Sequence, residues 1–276
     1  MKKYDRNALI EIEQWKNPPR TFLTKVADTI NKPLSKVGEI ILDNKVGEVI
    51  SNSIQGIISL LNDASSWSVR TDAIFREFED NGYSVKTISD IEKLQLEEVD
   101  RVVGFLGAKY KTTAFAEGAA TGAAGGPGIA ADIPLLFGIA LRAIGEYATY
   151  YGFDINRQEE RQYILDILML VSSPTQAAKQ QTMVELTKIA SAVAKKKTWK
   201  EIEKIGLATT LKKIGEQLGF RMTKAKLGQI VPIFGAVVGA GYNTYFIKCV
   251  CDASYFLYRE RFLARTYDFE IESKLG

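Results

Sequence analysis

Apolar residues recur at three- and four-residue steps along most of the chain. Between residues 21 and 61 these steps connect Phe22, Val26 and Ile30 and continue through later isoleucines and valines. This spacing places apolar side chains on one face of a helix. Short β-branched runs occur, but none alternates with polar residues between turn signals, so we find no strand series. The pattern predicts an all-α protein built as a single helical bundle.

Turn and capping residues indicate where some helices begin and end. Residues 81–82 are the turn dipeptide Asn-Gly, and Gly152 is placed to end the helix before it. Ser89 and Glu92 have the spacing of a capping box, which predicts a helix that runs through Val103.

A glycine-rich segment follows that helix. Gly118, Gly122 and Gly126 recur every four residues, so they share one face of a helix. Each glycine costs about 1 kcal/mol of helix propensity relative to alanine, which favours a site where another backbone approaches closely. The Gly-Pro-Gly that starts at Gly126 is expected to break the helix. Asp132 is then placed to cap a second helix with Pro134 in its first turn, which predicts a helical hairpin.

A second unusual segment carries no charge between Lys226 and Lys248. Residues 227–247 have about the length of a membrane span, and Gly235 and Gly239 form a GxxxG pair. One interpretation is a central apolar helix of the bundle, packed backbone to backbone against the hairpin. The other is a segment that inserts into or across a membrane.

The stretch between these two segments is strongly basic, with ten basic and three acidic residues over 195–226. An apolar stripe lies within it, and a basic amphipathic helix is attracted to an anionic membrane surface. A solvated basic face is the structural alternative. No nucleic-acid-binding motif is present, so we expect no nucleic-acid partner. The predicted membrane-surface residues are Lys195, Lys196, Lys197, Lys200, Lys204, Lys212, Lys213, Arg221, Lys224 and Lys226.

The amino-acid composition excludes several common kinds of active site. The chain has no histidine, which excludes histidine-based triads and histidine-ligated metal sites. Cys249 and Cys251 lie two apart and would form a strained disulfide if both are helical, so we expect two thiols in a reducing compartment. The N-terminus has no secretory signal, which favours the cytoplasm. No Walker or dinucleotide fingerprint occurs, and we expect no catalytic residues, cofactor or metal.

The remaining polar candidates lie in the predicted hairpin. Arg142 and Glu146 are four residues apart and can pair on one helix face. With Asp132 they could form a buried ion-pair network, the polar end of a ligand site or, least favoured, a catalytic carboxylate pair.

Several segments together form a recognisable pattern: residues 121–128 (TGAAGGPG), 131–134 (ADIP), 150–154 (YYGFD), 224–243 (KAKLGQIVPIFGAVVGAGYN) and 258–262 (YRERF). In these segments the chain resembles the EcsC protein family. The resemblance implies one helical domain over residues 1–268, followed by a tail at 269–276. It carries over no reaction. The family takes its name from a protein encoded beside an ABC-type transporter, so such a transporter is an implied partner. A weaker resemblance is to the helical tail of membrane-associated bacterial GTPases of the YcjF type.

We therefore expect a non-enzymatic, membrane-associated helical protein. It would engage anionic lipid, or a membrane protein such as an ABC-type transporter, from the cytoplasmic face of the membrane. The alternative is a soluble bundle that binds a small amphipathic ligand or lipid in an internal cavity between the glycine-containing helices.

Overall fold

The computed structural model describes residues 1–17, 69–123, 126–172, 182–184, 186–188, 190–191 and 232–271. These residues contain no strand, which confirms the all-α prediction. The helices are α1 (Lys3–Lys16), α2 (Thr71–Asp80), α3 (Ile88–Ile91), α4 (Leu96–Val103), α5 (Leu106–Ala123), α6 (Gly126–Tyr150), α7 (Gln158–Ser172) and α8 (Pro232–Tyr267).

Three long helices, α5, α6 and α8, form the centre of the described structure. Thr121 bonds Asp132 near the turn, and Lys109 pairs with Glu146 further along, so α5 and α6 form an antiparallel hairpin as predicted. Helix α8 packs on both arms and has its most extensive contact with α5. It runs antiparallel to α5.

The buried face of α5 changes in character along its length. Leu106, Tyr110, Ala114, Gly118 and Gly122 follow one another at four-residue intervals and are all buried. Large side chains therefore fill the space at the start of the helix, and small ones at its end. Small residues permit helix backbones to approach closely, and such close packing at the glycine-rich end stays a prediction.

Shorter helices surround the C-terminal half of α8. Helix α1 lies against α8 and α4, and α7 lies against α8 and α6. The Trp15 ring of α1 stacks on Phe256 of α8, with ring centroids 5.3 Å apart. Among the described residues, the shorter helices therefore add to the core at this half of the three long helices.

The capping box predicted at Ser89 and Glu92 was wrong. The structure has two shorter helices in this region, and each begins with its own capping box. Thr87 pairs with Asp90 at the start of α3, and Gln95 pairs with Glu98 at the start of α4. The predicted register failed because Thr87 already supplies a capping hydroxyl two residues earlier, which leaves Ser89 inside α3.

The predicted helix start at Asp132 was also wrong, because α6 runs without interruption from residue 126 and contains Pro134. Pro127 occupies the first turn, where a missing N–H is tolerated. The Asp132 carboxylate is fully buried and accepts hydrogen bonds from neighbouring helices instead of capping its own. Contacts with α5 and α8 therefore outweigh the local capping preference.

Three helices end in the same way. Gly82, Gly152 and Asp268 have φ values of 86°, 78° and 51°, which is the left-handed conformation of a C-terminal cap. The amide that follows each of them donates to a carbonyl five residues back, for example Phe153 N to Ala148 O at 2.9 Å. The turn at residues 81–82 and the helix end at Gly152 are therefore confirmed.

Candidate functional site

One end of the three long helices is almost free of charge. We define the uncharged end as residues 112–123 of α5, 126–141 of α6 and 232–247 of α8. Glu117 and Asp132 are its only acidic or basic residues. The described residues that are exposed there are threonine, alanine, glycine, phenylalanine, leucine and tyrosine, so this surface offers no exposed charge.

Large apolar side chains stand out from this end. Phe115 is 57% exposed, Leu135 is 52% exposed and Tyr245 is 37% exposed. They belong to α5, α6 and α8 respectively, so each helix contributes one. Single exposed apolar residues are common on soluble proteins, but here all three lie in the uncharged end, one on each of its helices.

The two carboxylates of the uncharged end point into the bundle. The fully buried Asn243 amide of α8 donates from Nδ2 to Glu117 Oε2 at 2.5 Å and to Asp132 Oδ1 at 2.9 Å. Thr121 Oγ1 lies 2.5 Å from Asp132 Oδ1. One polar cluster thereby connects α5, α6 and α8. Buried polar groups need such partners, and a connected set of them fixes how three helices are aligned.

Charged residues begin together where the uncharged end stops. We call this ring the collar. Lys109 Nζ of α5 lies 2.9 Å from Glu146 Oε2 of α6, and Lys248 Nζ lies 2.5 Å from Asp252 Oδ2 within α8. Arg142 is exposed on α6. The collar has four basic and two acidic members: Lys109, Lys111, Arg142, Lys248, Glu146 and Asp252.

Buried hydroxyl and thiol groups lie just inside the collar. Burial raises the pKa of Tyr110, and the charge of Glu146 raises it further. Burial also raises the pKa of the Cys251 thiol to about 12, although the Lys111 charge acts in the opposite direction. Both groups therefore stay neutral at physiological pH and supply no nucleophile.

The opposite half of the molecule carries a dense charged network. Arg259 of α8 is 2% exposed and donates to Asp100 at 2.8 Å and to Glu11 at 2.9 Å. Asp100 also accepts from Tyr4 and Tyr151. Burial raises the pKa of Asp100, and the Arg259 charge opposes that rise.

A second buried arginine completes this network. Arg261 pairs with Glu160 of α7, and both side chains are less than a twentieth exposed. The guanidinium carbon lies 4.1 Å from the ring centroids of both Phe153 and Tyr163. Burial lowers the pKa of the Arg261 guanidinium, but the charge of Glu160, the hydrogen bond to it and the neighbouring tyrosines together outweigh this and raise the pKa. A pair satisfied in this way joins α7 to α8 and fixes their register.

The EcsC protein family matches residues 6–263, which is nearly the whole chain. The chain belongs to the EcsC protein family. The family assignment covers both the uncharged end and the charged network, and it identifies no reaction.

Two EcsC-family relatives come from Bacillus subtilis (strain 168). One, described as uncharacterized protein YdbA, is 26% identical over 267 residues, which cover 92% of this chain and 90% of the relative. The other, protein EcsC, is 32% identical over 90 residues, which cover 33% of this chain and 38% of the relative. No solved structure matches the chain significantly.

The predicted polar cluster of this EcsC-family chain is divided between two places. Asp132 belongs to the buried cluster with Asn243, whereas Arg142 and Glu146 lie at the collar. Asp132 and Glu146 are 14 residues apart on α6, or about 21 Å. Glu146 pairs with Lys109 of the other hairpin arm rather than within its own helix. A ligand role for the three residues stays a prediction, and the structure does not place them around one point.

The other predicted residues fall partly outside the described chain. Gly118 and Gly122 are buried on α5, and their role in close packing stays a prediction. The surroundings of Gly126, Gly235 and Gly239 are not described. The basic stretch at 195–226 also lies outside the described residues, so the structure says nothing of its ten basic side chains.

The spacing of residues along the chain does not predict which side chains contact Asp132 and Glu146. Asn243 is 111 residues from Asp132, and Lys109 is 37 residues from Glu146. The available signal was the single amide side chain in the uncharged part of α8. A buried amide in such a stretch usually has a polar partner on a neighbouring helix.

The described residues offer no further site of a familiar kind. Among the helices within the described ranges, none is both long enough and apolar enough to cross a membrane. In the same residues, no three acidic or thiol side chains converge as metal ligands. A depression of 360 Å³ lies near the C-terminal end of α6, beside Thr149, Asp154 and Lys86, away from the glycine-rich end.

Proposed function

We propose that this EcsC-family protein is a non-enzymatic protein of the cytoplasmic membrane face that engages anionic lipid. The observation that carries this proposal is the uncharged end with its collar. An apolar surface bordered by a mainly basic ring complements an anionic membrane, because the apolar part meets the lipid interior and the basic part meets the phosphates.

The sequence adds a second electrostatic contribution. Ten basic residues against three acidic ones occupy 195–226, directly before the uncharged segment that leads into α8. Each basic residue near an anionic membrane contributes on the order of 1 kcal/mol. The attraction is therefore expected to be strong at low salt and to weaken as salt screens the charges.

Co-sedimentation of the purified full chain with liposomes tests the proposal. Vesicles of phosphatidylcholine are compared with vesicles that contain phosphatidylglycerol, at about 0.1 M and 1 M salt, which correspond to Debye lengths of about 10 and 3 Å. We expect pelleting with the anionic vesicles and much less with the zwitterionic ones at low salt. If the protein stays in the supernatant with both vesicle types, the proposal is wrong.

A membrane protein such as an ABC-type transporter is the other proposed partner of this surface. Protein-free vesicles separate the two partners, since they offer lipid alone. Binding to such vesicles would show that lipid suffices. Binding only to native membranes, with loss after protease treatment of those membranes, would indicate a protein partner in place of lipid.

A further inference from the structure

We infer that the uncharged end enters one leaflet of the bilayer, down to the level of the collar. This inference rests on the proposed membrane association. The uncharged end is the surface that inserts, and a phospholipid leaflet is what surrounds it. Lying flat on the headgroups is the alternative, and it would leave the exposed Phe115, Leu135 and Tyr245 outside the acyl-chain region.

The length of the uncharged end fits one leaflet. Residues 112–123 of α5 span about 18 Å, and residues 126–141 and 232–247 each span about 24 Å, at about 1.5 Å per residue. Half of a bilayer is about 20–22 Å thick when the headgroup region is included. The collar then lies at the headgroups when the helix ends approach the middle of the membrane.

The side chains of this end suit an apolar solvent. The exposed residues of α5 beyond the collar are Thr112, Thr113, Phe115 and three alanines. Thr112 and Thr113 donate to backbone carbonyls of their own helix, at 3.1 Å and 3.0 Å. A hydroxyl satisfied within its own helix is tolerated in lipid, where water is not available as a partner.

The ionisable groups of this end are also compatible with lipid. Glu117 and Asp132 both bond Asn243 inside the bundle, so their carboxylates face α8 and not the surroundings. Intramembrane carboxylates are expected to face the interior of a bundle. The basic side chains Lys109, Arg142 and Lys248 lie where the phosphates would be, and Tyr245 lies one turn inside Lys248, at the depth that tyrosine favours.

Aspartate substitutions at matched exposed positions test the inference. Phe115→Asp and Leu135→Asp change residues that are 57% and 52% exposed, and the control Ile10→Asp changes a residue of α1 that is 56% exposed. We expect each substitution in the uncharged end to lower partitioning into phosphatidylglycerol-containing vesicles at least tenfold. Ile10→Asp should stay within twofold of the wild type, because α1 packs on the opposite half of the molecule.

The outcomes separate this inference from the proposed function. If the wild type binds vesicles but Phe115→Asp and Leu135→Asp bind equally well, lipid binding stands and the inserted surface is wrong. An equal loss for Ile10→Asp would overturn the inference as well. If the wild type itself does not bind, both are wrong. A lipid-free dimer that Phe115→Asp dissociates, with vesicle binding unchanged, would assign the surface to a second copy of the chain.

A fluorescence measurement checks depth without adding a charge. Phe115→Trp and Ile10→Trp are mixed with anionic vesicles whose acyl chains carry bromine, and the emission of the wild type is subtracted. Quenching of the added emission is expected for Phe115→Trp and not for Ile10→Trp. Equal emission of Phe115→Trp with brominated and ordinary lipid, under conditions where the protein pellets with vesicles, would overturn the inference.

Discussion

At the scale of single residues, burial decides which polar groups react and which hold the fold. Cys249 and Cys251 are two residues apart on α8, yet Cys249 is partly exposed and Cys251 is buried. Asp132 shows the same effect, because its carboxylate serves Asn243 and Thr121 rather than its own helix. In each case the sequence gives the residue type, but it does not give the side chain that the residue contacts.

Alkylation should distinguish the two cysteines. With a pKa of about 12, only about one Cys251 in ten thousand is a thiolate at pH 8. We expect iodoacetamide to modify the folded wild type at one thiol. The variant Cys249→Ser should react at least a hundredfold more slowly, and Cys251→Ser should keep the rate of the wild type. Rapid reaction of Cys249→Ser in the folded state would contradict this assignment.

Breaking the buried ion pair should strongly destabilise the protein. Glu160→Gln leaves the buried Arg261 without its carboxylate, which we expect to lower the free energy of unfolding by about 3–5 kcal/mol. Urea unfolding measures the change. The control Glu97→Gln removes one partner of an exposed pair with Arg101, whose N···O distance is 3.9 Å, and should change stability by about 0–1 kcal/mol. Similar losses in both variants would show that the buried pair has no special role.

At the scale of helices, boundaries follow local signals only where no neighbour competes. The ends at Gly82 and Gly152 were predictable because a left-handed residue there favours glycine. The start of α6 was not, because Asp132 and Pro134 look like a helix start while packing against α5 and α8 keeps the helix continuous. Helix type was therefore predictable throughout the described hairpin, and one of its boundaries was not.

Two glycines within helices should differ in their response to alanine. A Cβ at Gly241 of α8 would meet nothing within 4 Å, so Gly241→Ala should stabilise the protein by about 0.5–1 kcal/mol. A Cβ at Gly145 of α6 would lie 3.0 Å from Val69 Cγ2. Gly145→Ala is expected to be about 1–3 kcal/mol less stable than Gly241→Ala, as judged by urea unfolding. Equal stabilisation by both would mean that Val69 moves aside freely.

At the scale of the whole molecule, charge is distributed unevenly along α8 and its partners. Buried arginines join α8 to α1, α4 and α7 at one half, and the other half carries no exposed charge among the described residues. The proposed attachment uses the second half.

Salt should separate the two proposed contributions to vesicle binding. Replacing Lys195, Lys196 and Lys197 with glutamine should weaken binding to anionic vesicles at about 0.1 M salt and have little effect at about 1 M, where surface charges are screened. Leu135→Asp should weaken binding at both salt concentrations, because the loss of apolar contact is not screened. An identical salt dependence of both variants would argue against two separate contributions.

The periodic spacing of apolar residues was enough to establish an all-α chain, and motif resemblance was enough to assign its family, because both depend on residues that are near in sequence. The division of Asp132, Arg142 and Glu146 between a buried cluster and the collar depended on tertiary packing. Asn243 and Lys109 reach those residues from other helices, and spacing along the chain does not report which helices meet. The uncharged end became visible for the same reason, since three separate segments form one surface only after α5, α6 and α8 pack together.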